Sequence, residues 1–417
     1  MDNPYPKIPG TVPVPYDVLP VVSSDDASAL PTALTNPPPP SRGAKTIFAF
    51  WHSGIKTMPG YLLRNVISWY RRFGPLGWTI YVIDNVPDSP LNMANFIDVT
   101  DPTVVPAALI EGKIGGSYKA QVMSDFSRFP LLLKYGGIYL DAGVLQFGDI
   151  NWVWENHISN PDSPYEYAGM TMGDPPEGVT IINFNMMTGP DNPMMLRAHK
   201  ILMKLWEGKT STAGMSRSEL VAHVPLLHVS GEVAVSEEGK GKMEIDDESM
   251  TDYAIQIQCL GAAQRWKDED GGWDGPEYVK KHCWLYSMVD MAYANEQITS
   301  WNSKRQHELF LTPLPTKATG NEEPETEDQK LAREMVEACI GRSWCIKLAH
   351  GFSAKLFGAP TLGMLWRDNR GSDCAEGTHG AWLRWAETNL THEIVPSPLA
   401  IPAFAATRAA SLESMLK

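Results

Sequence analysis

Two continuous apolar runs constrain this chain more than any other feature. One is Ile47–Phe50 in "KTIFAFWHSG"; the other is Ile80–Ile83 in "WTIYVIDN". Neither alternates, so each reads as a strand covered on both faces. Between them, "PGYLLRNVISWYRRFG" places Leu62 or Leu63, Val66, Ile67 and Tyr70 at helical spacing, with Pro59 and Gly74 as punctuation. Strand, helix, strand in this order is a βαβ unit. It implies a parallel sheet with right-handed crossovers, hence an α/β fold.

The next stretch carries the chemistry. Residues Tyr118 to Tyr135 read as a helix, with Val122, Phe126, Phe129 and Leu133 on one face. Gln121, Asp125, Arg128 and Leu132 share the adjacent stripe. Pro130 removes a backbone donor and should bend the helix. Gly136-Gly137 ends it. "IYLDAGVLQF" then reads as one alternating strand, with Tyr139, Asp141, Gly143 and Leu145 on one side. A carboxylate at a strand end sits where α/β sheets bind ligands. Asp-x-Asp there would hold a divalent cation and through it a diphosphate. Gly143 stands at the second position, leaving one carboxylate.

Later segments add elements around this core. "GVTIINFNMMTG" is a further strand, and "NPMMLRAHKILMKLWEG" an amphipathic helix opened by Pro193. "TDYAIQIQCLGAAQRW", "PEYVKKHCWLYSMVDMAYANEQI" and "EDQKLAREMVEACIG" read as helices. Residues 1–43 form a proline-rich arm ending in four prolines, whose apolar residues favour wrapping over free solution. Residues 44–417 form a single domain with helical insertions from about Asp191. Residues 230–250 are a polar surface excursion, and about 312–328 an acidic mobile loop.

Composition excludes several classes. A formal net charge of -14 argues against nucleic acid or an anionic membrane as the main partner. Five scattered cysteines, none in a C-x-x-C pair, suggest neither a zinc site nor a disulfide framework. Reduced thiols, no signal-like N-terminus and no apolar run near ~20 residues suit a cytoplasmic protein without a membrane span.

S-D-x-x-R at Ser124–Arg128, then G-G-I-Y-x-D at Gly136–Asp141, resembles the donor-binding signature of the DXD sugar transferases with a GT-A fold. The arrangement is most similar to the capsular polysaccharide synthesis protein family. It is more distantly similar to the catalytic domains of large clostridial glucosylating toxins and yeast outer-chain mannosyltransferases. "FWHSG" and "VIDN" agree with the family's first two strands, and the likeness runs from about Lys45 to Phe147. It implies a GT-A type, Rossmann-like mixed sheet with helical additions on the acceptor side. The implied activity is retaining transfer of a sugar from a nucleotide-diphosphate sugar to a hydroxyl acceptor, a glycan or a small natural product.

By the same resemblance, Trp51 stacks on the base, and Asp84 or Asn85 contacts the nucleoside. Ser124 and Asp125 bind ribose or sugar hydroxyls, Arg128 a sugar hydroxyl or phosphate, and Tyr139 the diphosphate. Asp141 is the first DXD aspartate and the implied metal contact, for a weakly bound Mn2+ or Mg2+. Gly143 in place of the second aspartate puts strong metal dependence in doubt. Without that metal, Arg128, a late lysine or His350 must neutralise the leaving group.

Each feature also has an ordinary reading. Asp125 and Arg128 could be a surface ion pair, and Trp51 a core residue. Asn183 and Asn185 read as strand caps. His350 could supply a metal or phosphate contact and Lys347 and Lys355 could meet a diphosphate, but with His228 they read more simply as structural or solvated groups. Alternative functions are a scaffold recruited to isomerisation or cyclisation of a small natural product, and a non-catalytic nucleotide-sugar-binding module.

Overall fold

The two apolar runs lie side by side at the centre of a six-stranded mixed sheet. The structure is a computed structural model that describes residues 4–24, 27–116, 118–172, 179–228, 246–315, 324–349, 354, 358–409 and 411–416. Its strands, in chain order, are β1 (Thr11–Pro13), β2 (Thr46–Phe50), β3 (Thr79–Ile83), β4 (Gly137–Leu140), β5 (Val144–Gln146), β6 (Tyr167–Met172), β7 (Thr180–Thr188), β8 (Trp266–Lys267), β9 (Cys283–Ser287), β10 (Cys345–Lys347), β11 (Leu390–His392) and β12 (Arg408–Ala409). The main sheet runs β3-β2-β4-β7-β6-β9. β2 is parallel to both β3 and β4; β7 is antiparallel to β4 and β6; β9 is parallel to β6. This is the α/β mixed sheet that the sequence implies.

The topology positions the site. The chain leaves β2 for β3 on one side, then returns to place β4 on the other side of β2. The carboxyl ends of β2 and β4 therefore flank a switch point, where open α/β sheets bind ligands. The residues that follow β2, β3 and β4 directly are Trp51, Asp84 and Asp141.

Burial explains why these strands form. All five residues of β2 are buried. The Gly60–Phe73 helix buries Val66, Trp69 and Phe73 completely, worth roughly 1.5–3 kcal/mol per large apolar side chain. Gly136 and Gly137 both have positive φ (72° and 95°), so the Lys119–Tyr135 helix turns sharply into β4. A Cβ on Gly137 would lie 2.0 Å from Thr46 Oγ1, so no larger residue fits between β4 and β2. Pro130 sits inside this helix without ending it.

Three local expectations are corrected. Residues 138–147 are not one alternating strand: β4 ends at Leu140, and the Val144 N–H donates to the Asp141 carbonyl at 2.9 Å, closing a turn. β5 then pairs with β10 in a separate two-stranded sheet. "PEYVKKHCWLYSMVDMAYANEQI" is not continuously helical. The Gly275–His282 helix gives way to β9, because Cys283-Trp284-Leu285-Tyr286 is an apolar, aromatic run that finds the open edge of β6. Asn183 and Asn185 lie inside β7 rather than capping it.

The N-terminal segment lies along the body. β1 pairs antiparallel with β11, Ile8 and Leu34 are fully buried, and the Tyr81 hydroxyl donates to the Pro38 carbonyl at 2.9 Å. β12 pairs in parallel with β8. The 316–323 part of the acidic loop lies outside the described residues. From Thr326 the chain is ordered by a capping box with Gln329, which opens the Glu327–Gly341 helix.

Candidate active site

Arg128 organises the site. It projects from the Lys119–Tyr135 helix toward the end of β4 and is only 7% exposed. Its Nη2 lies 3.1 Å from Asp141 Oδ1 and 3.3 Å from Asp125 Oδ1. The same nitrogen donates to Ser124 Oγ at 3.2 Å, and Nη1 donates to the Asn183 carbonyl at 3.1 Å. The guanidinium carbon lies 4.9 Å from the centroid of the Tyr139 ring. The hydroxyls of Ser124 and Tyr139 share a 2.8 Å hydrogen bond. The predicted residues Ser124, Asp125, Arg128, Tyr139 and Asp141 thus form one cluster. The helix supplies the i, i+1, i+4 spacing of the first three; β4 supplies Tyr139, and the residue directly after the strand is Asp141.

Lys347 completes the cluster. Its Nζ lies 2.9 Å from Asp141 Oδ2. β10 carries it there: Lys347 stands opposite Val144 in register, and the Leu348 N–H donates to the Gly143 carbonyl at 2.8 Å. Gln256 is a second late contributor. Its amide donates to the Asp125 carbonyl at 2.7 Å and accepts from the Asn183 amide at 2.9 Å. Local sequence offers no signal for Gln256, and Lys347 reads as an ordinary surface lysine because its partner lies on a distant strand. Asn185 is buried and donates to Gln146 Oε1 at 3.3 Å.

The electrostatics follow from enclosure. Burial raises the Asp125 carboxyl to about 6, with Arg128 pulling it down and Asp141 pushing it up. Burial works against the charge on Arg128, but Asp141, Tyr139 and Asp125 outweigh it and hold the guanidinium protonated. Burial likewise pushes the Tyr139 phenol to about 12. Burial raises the Tyr253 phenol, and the charges of Asp125 and Asp141 raise it further. Tyr293 is raised by burial, by Glu296 and Cys345, and also by Asp141.

The predicted nucleoside contacts divide. Trp51 is half-buried at the exit of β2, its backbone N–H donating to the Ile83 carbonyl at 2.8 Å. Asp84 is buried at 2% exposure. Its carboxylate accepts from the Val86 N–H at 3.0 Å and the Ser89 hydroxyl at 2.6 Å. It therefore orders the loop after β3. Asn85 is exposed, with its backbone N–H donating to the His52 carbonyl at 3.1 Å. His228 is exposed and pairs with Asp247 at 3.0 Å. His350 and Lys355 lie outside the described residues.

The described donor set does not fit a divalent cation. Gly143 offers no side chain, and each oxygen of Asp141 already faces a cation, Arg128 or Lys347. Among the described residues no three His, Cys, Asp or Glu side chains gather to hold a metal.

Residues 16–211 match the capsular polysaccharide synthesis protein family. Over nearly full length, the chain is 30% identical to an O-glycosyltransferase of Phomopsis amygdali, PaGT, covering 94% of this chain and 93% of that one. The chain belongs to the capsular polysaccharide synthesis protein family. Within it, a second relative is the O-glycosyltransferase braB of Annulohypoxylon truncatum, 30% identical over 87% of this chain and 84% of its own. A third is the glycosyltransferase afumC of Aspergillus fumigatus, 31% identical over 89% and 92%. A solved structure described as PaToxG Glycosyltransferase aligns over 45% of this chain and 68% of its own, at 15% identity and a TM-score of 0.29, too slight a likeness to argue from. The family match spans every member of the cluster except Gln256 and Lys347. Among the described residues no helix is long and apolar enough to cross a membrane.

Proposed function

We propose that this family member transfers a sugar from a nucleotide-diphosphate sugar to a hydroxyl acceptor, with retention at the anomeric carbon. One observation carries the reading: Asp125, Arg128, Asp141 and Lys347 converge at the carboxyl end of β4, beside the switch point between β2 and β4. Named glycosyltransferases among its relatives support the transferase class, and the two named O-glycosyltransferases support an oxygen acceptor.

The roles follow from chemistry. Asp125, ionised above about pH 6, accepts hydrogen bonds from sugar hydroxyls. Arg128 faces both acids and is the group best placed to turn toward a phosphate oxygen. Ser124 and Tyr139 hold its guanidinium in plane. Trp51 offers a face for the base, and exposed Asn85 suits the nucleoside better than Asp84, whose carboxylate is used by its own loop. In the transfer, the bond from the anomeric carbon to the β-phosphate oxygen breaks and its electron pair stays on that oxygen. The acceptor oxygen bonds to the anomeric carbon from the same face, and its proton passes to the departing diphosphate. The protein's share is positioning and stabilisation of the developing charge. A GT-A type domain over 44–417, cytoplasmic and carrying the 1–43 arm, is the matching organisation.

The test is incubation with a panel of nucleotide-diphosphate sugars without acceptor, following release of nucleoside diphosphate. Slow hydrolysis of at least one donor is expected. Silence across the panel, with and without added Mn2+, contradicts the reading.

A further inference from the structure

We infer that Lys347 and Arg128 together take the place of the divalent cation, so that this transferase binds its nucleotide diphosphate without metal. The inference rests on the function proposed above and adds the identity of the group that neutralises the leaving diphosphate.

The charge balance is the first argument. Among the described residues, two carboxylates and two fixed cations meet within 3.3 Å contacts and sum to no net charge. A divalent cation entering there would face two positive side chains and displace them from Asp141. A diphosphate entering the same place exchanges one acceptor for another: Lys347 and Arg128 turn from carboxylate to phosphate oxygens. Charge-assisted hydrogen bonds of this kind are the strong ones.

The second argument is placement. β10 runs beside the turn that contains Gly143, pinned by the Leu348 N–H to the Gly143 carbonyl at 2.8 Å. The lysine is therefore delivered next to the position whose side chain would otherwise reach for a metal. At the position where a DXD motif would carry its second acid this chain has Gly143, and a base, Lys347, stands beside it. Lys347 is also well confined: its side chain is 16% exposed, and its Nζ lies 5.5 Å from the centroid of Phe184. A confined ammonium aimed at a strand-end carboxylate is preorganised for an anion. Arg128 adds an unused donor, since its buried Nε–H finds no acceptor among the described residues.

When the glycosidic C–O bond breaks, the electron pair settles on the β-phosphate oxygen. Lys347 and Arg128 hydrogen-bond that oxygen and its neighbours. As that bond breaks, the acceptor oxygen bonds to the anomeric carbon and its proton passes to the diphosphate; no oxidant or reductant is involved.

The experiment is calorimetric binding of UDP and GDP to the full chain, in EDTA and in Mn2+. Wild type should bind one of them equally, within about twofold, in both conditions. Lys347→Ala should weaken that binding by about tenfold to a hundredfold in EDTA, the loss expected of one charge-assisted hydrogen bond. Lys347→Arg should retain most of it. The double variant Lys347→Ala, Gly143→Asp should regain binding in Mn2+ alone, which a merely destabilised protein would not do. Wild-type binding that vanishes in EDTA and returns with Mn2+ overturns the inference but leaves the proposed function standing. Unchanged binding in Lys347→Ala also overturns it. No binding of either nucleotide in either condition overturns the inference and counts against the nucleotide-diphosphate reading itself.

Discussion

Two arginine–carboxylate clusters in this molecule look alike on paper and differ in how their acids are paired and sealed. One surrounds Asp373, which is completely buried. Arg64 grips it with Nε at 2.8 Å and Nη2 at 2.5 Å, and Arg384 with Nε at 2.9 Å and Nη2 at 2.7 Å. Arg384 also donates to Asn65 at 2.6 Å, to Glu387 at 3.1 Å and to the Tyr61 carbonyl at 3.0 Å. These contacts fasten the Gly60–Phe73 helix to the His379–Asn389 helix. The other cluster, around Arg128, has single contacts of 2.9–3.3 Å between charges, and acids that are 17% and 21% exposed. Charge that is shared two by two and sealed holds a fold. Charge held by one contact per pair, with partly exposed acids at the mouth of a switch point, is the arrangement that a ligand's charge can exchange with.

The largest effect should come from the sealed cluster. Asp373→Ala leaves two arginines buried without their acid and should destabilise the protein by about 3–5 kcal/mol, read by denaturant unfolding. Next, Arg128→Ala or Asp125→Asn should lower turnover by about a hundredfold or more, as when a charge-stabilising donor is removed from an active site. Unfolding should shift much less than for Asp373→Ala. If the two clusters respond alike, in stability or in activity, the distinction between them fails.

The clusters should also part in their pH behaviour. Asp125 has its pKa raised to about 6 from 3.8, so turnover should fall as pH drops below about 6 and the carboxylate protonates. Its own contribution to stability has the opposite sign, improving as pH falls from about 6 toward 3.8, because the folded state binds that proton more tightly. For Asp373, burial raises the carboxyl, but Arg384 and Arg64 outweigh it and hold the pKa below 3.8. Its stability contribution is therefore present above 3.8 and lost as pH falls through the lower folded value. A pH–rate profile beside pH-dependent unfolding separates the two.

A smaller effect is expected at the nucleoside end. Trp51→Ala should weaken nucleotide binding by about tenfold, the worth of one stacked base, and cost less stability than loss of a fully buried tryptophan, since Trp51 packs against the core but is partly exposed. A loss of about 3–5 kcal/mol with unchanged affinity, as for a packed core tryptophan, would reverse that assignment. The smallest change is expected from Gly143→Asp alone. Gly143 is not among the glycines with positive φ, so the backbone tolerates aspartate, and Lys347 still opposes a metal. Chelator sensitivity should rise slightly.

What was legible in the sequence was local. Ser124, Asp125 and Arg128 lie within little more than one helical turn of one another, and Gly136-Gly137 announces the sharp return that brings Arg128 onto Asp141. The βαβ core was legible for the same reason, as continuous apolar runs. Gln256 is not legible there, and Lys347 only as one of two late lysines that could meet a diphosphate, because both arrive on elements whose docking depends on long-range pairing: β10 on β5, and the Ile255–Arg265 helix on β7. The break after Leu140 was hidden because a turn of small residues, Ala142 and Gly143, keeps the same alternation on paper. β9 was hidden inside a helical-looking stretch, since only the open edge of β6 makes its apolar run a strand. For Asp84 the strand-end position is legible, and its carboxylate's bonds to its own loop are not.

A crystal of the protein soaked with nucleotide-diphosphate sugars tests the central assignment most directly. The diphosphate should bridge Arg128 and Lys347, with Asp125 on sugar hydroxyls and the base against Trp51. A donor bound elsewhere, or the Arg128–Asp141–Lys347 pairs unbroken beneath a bound nucleotide, would contradict it.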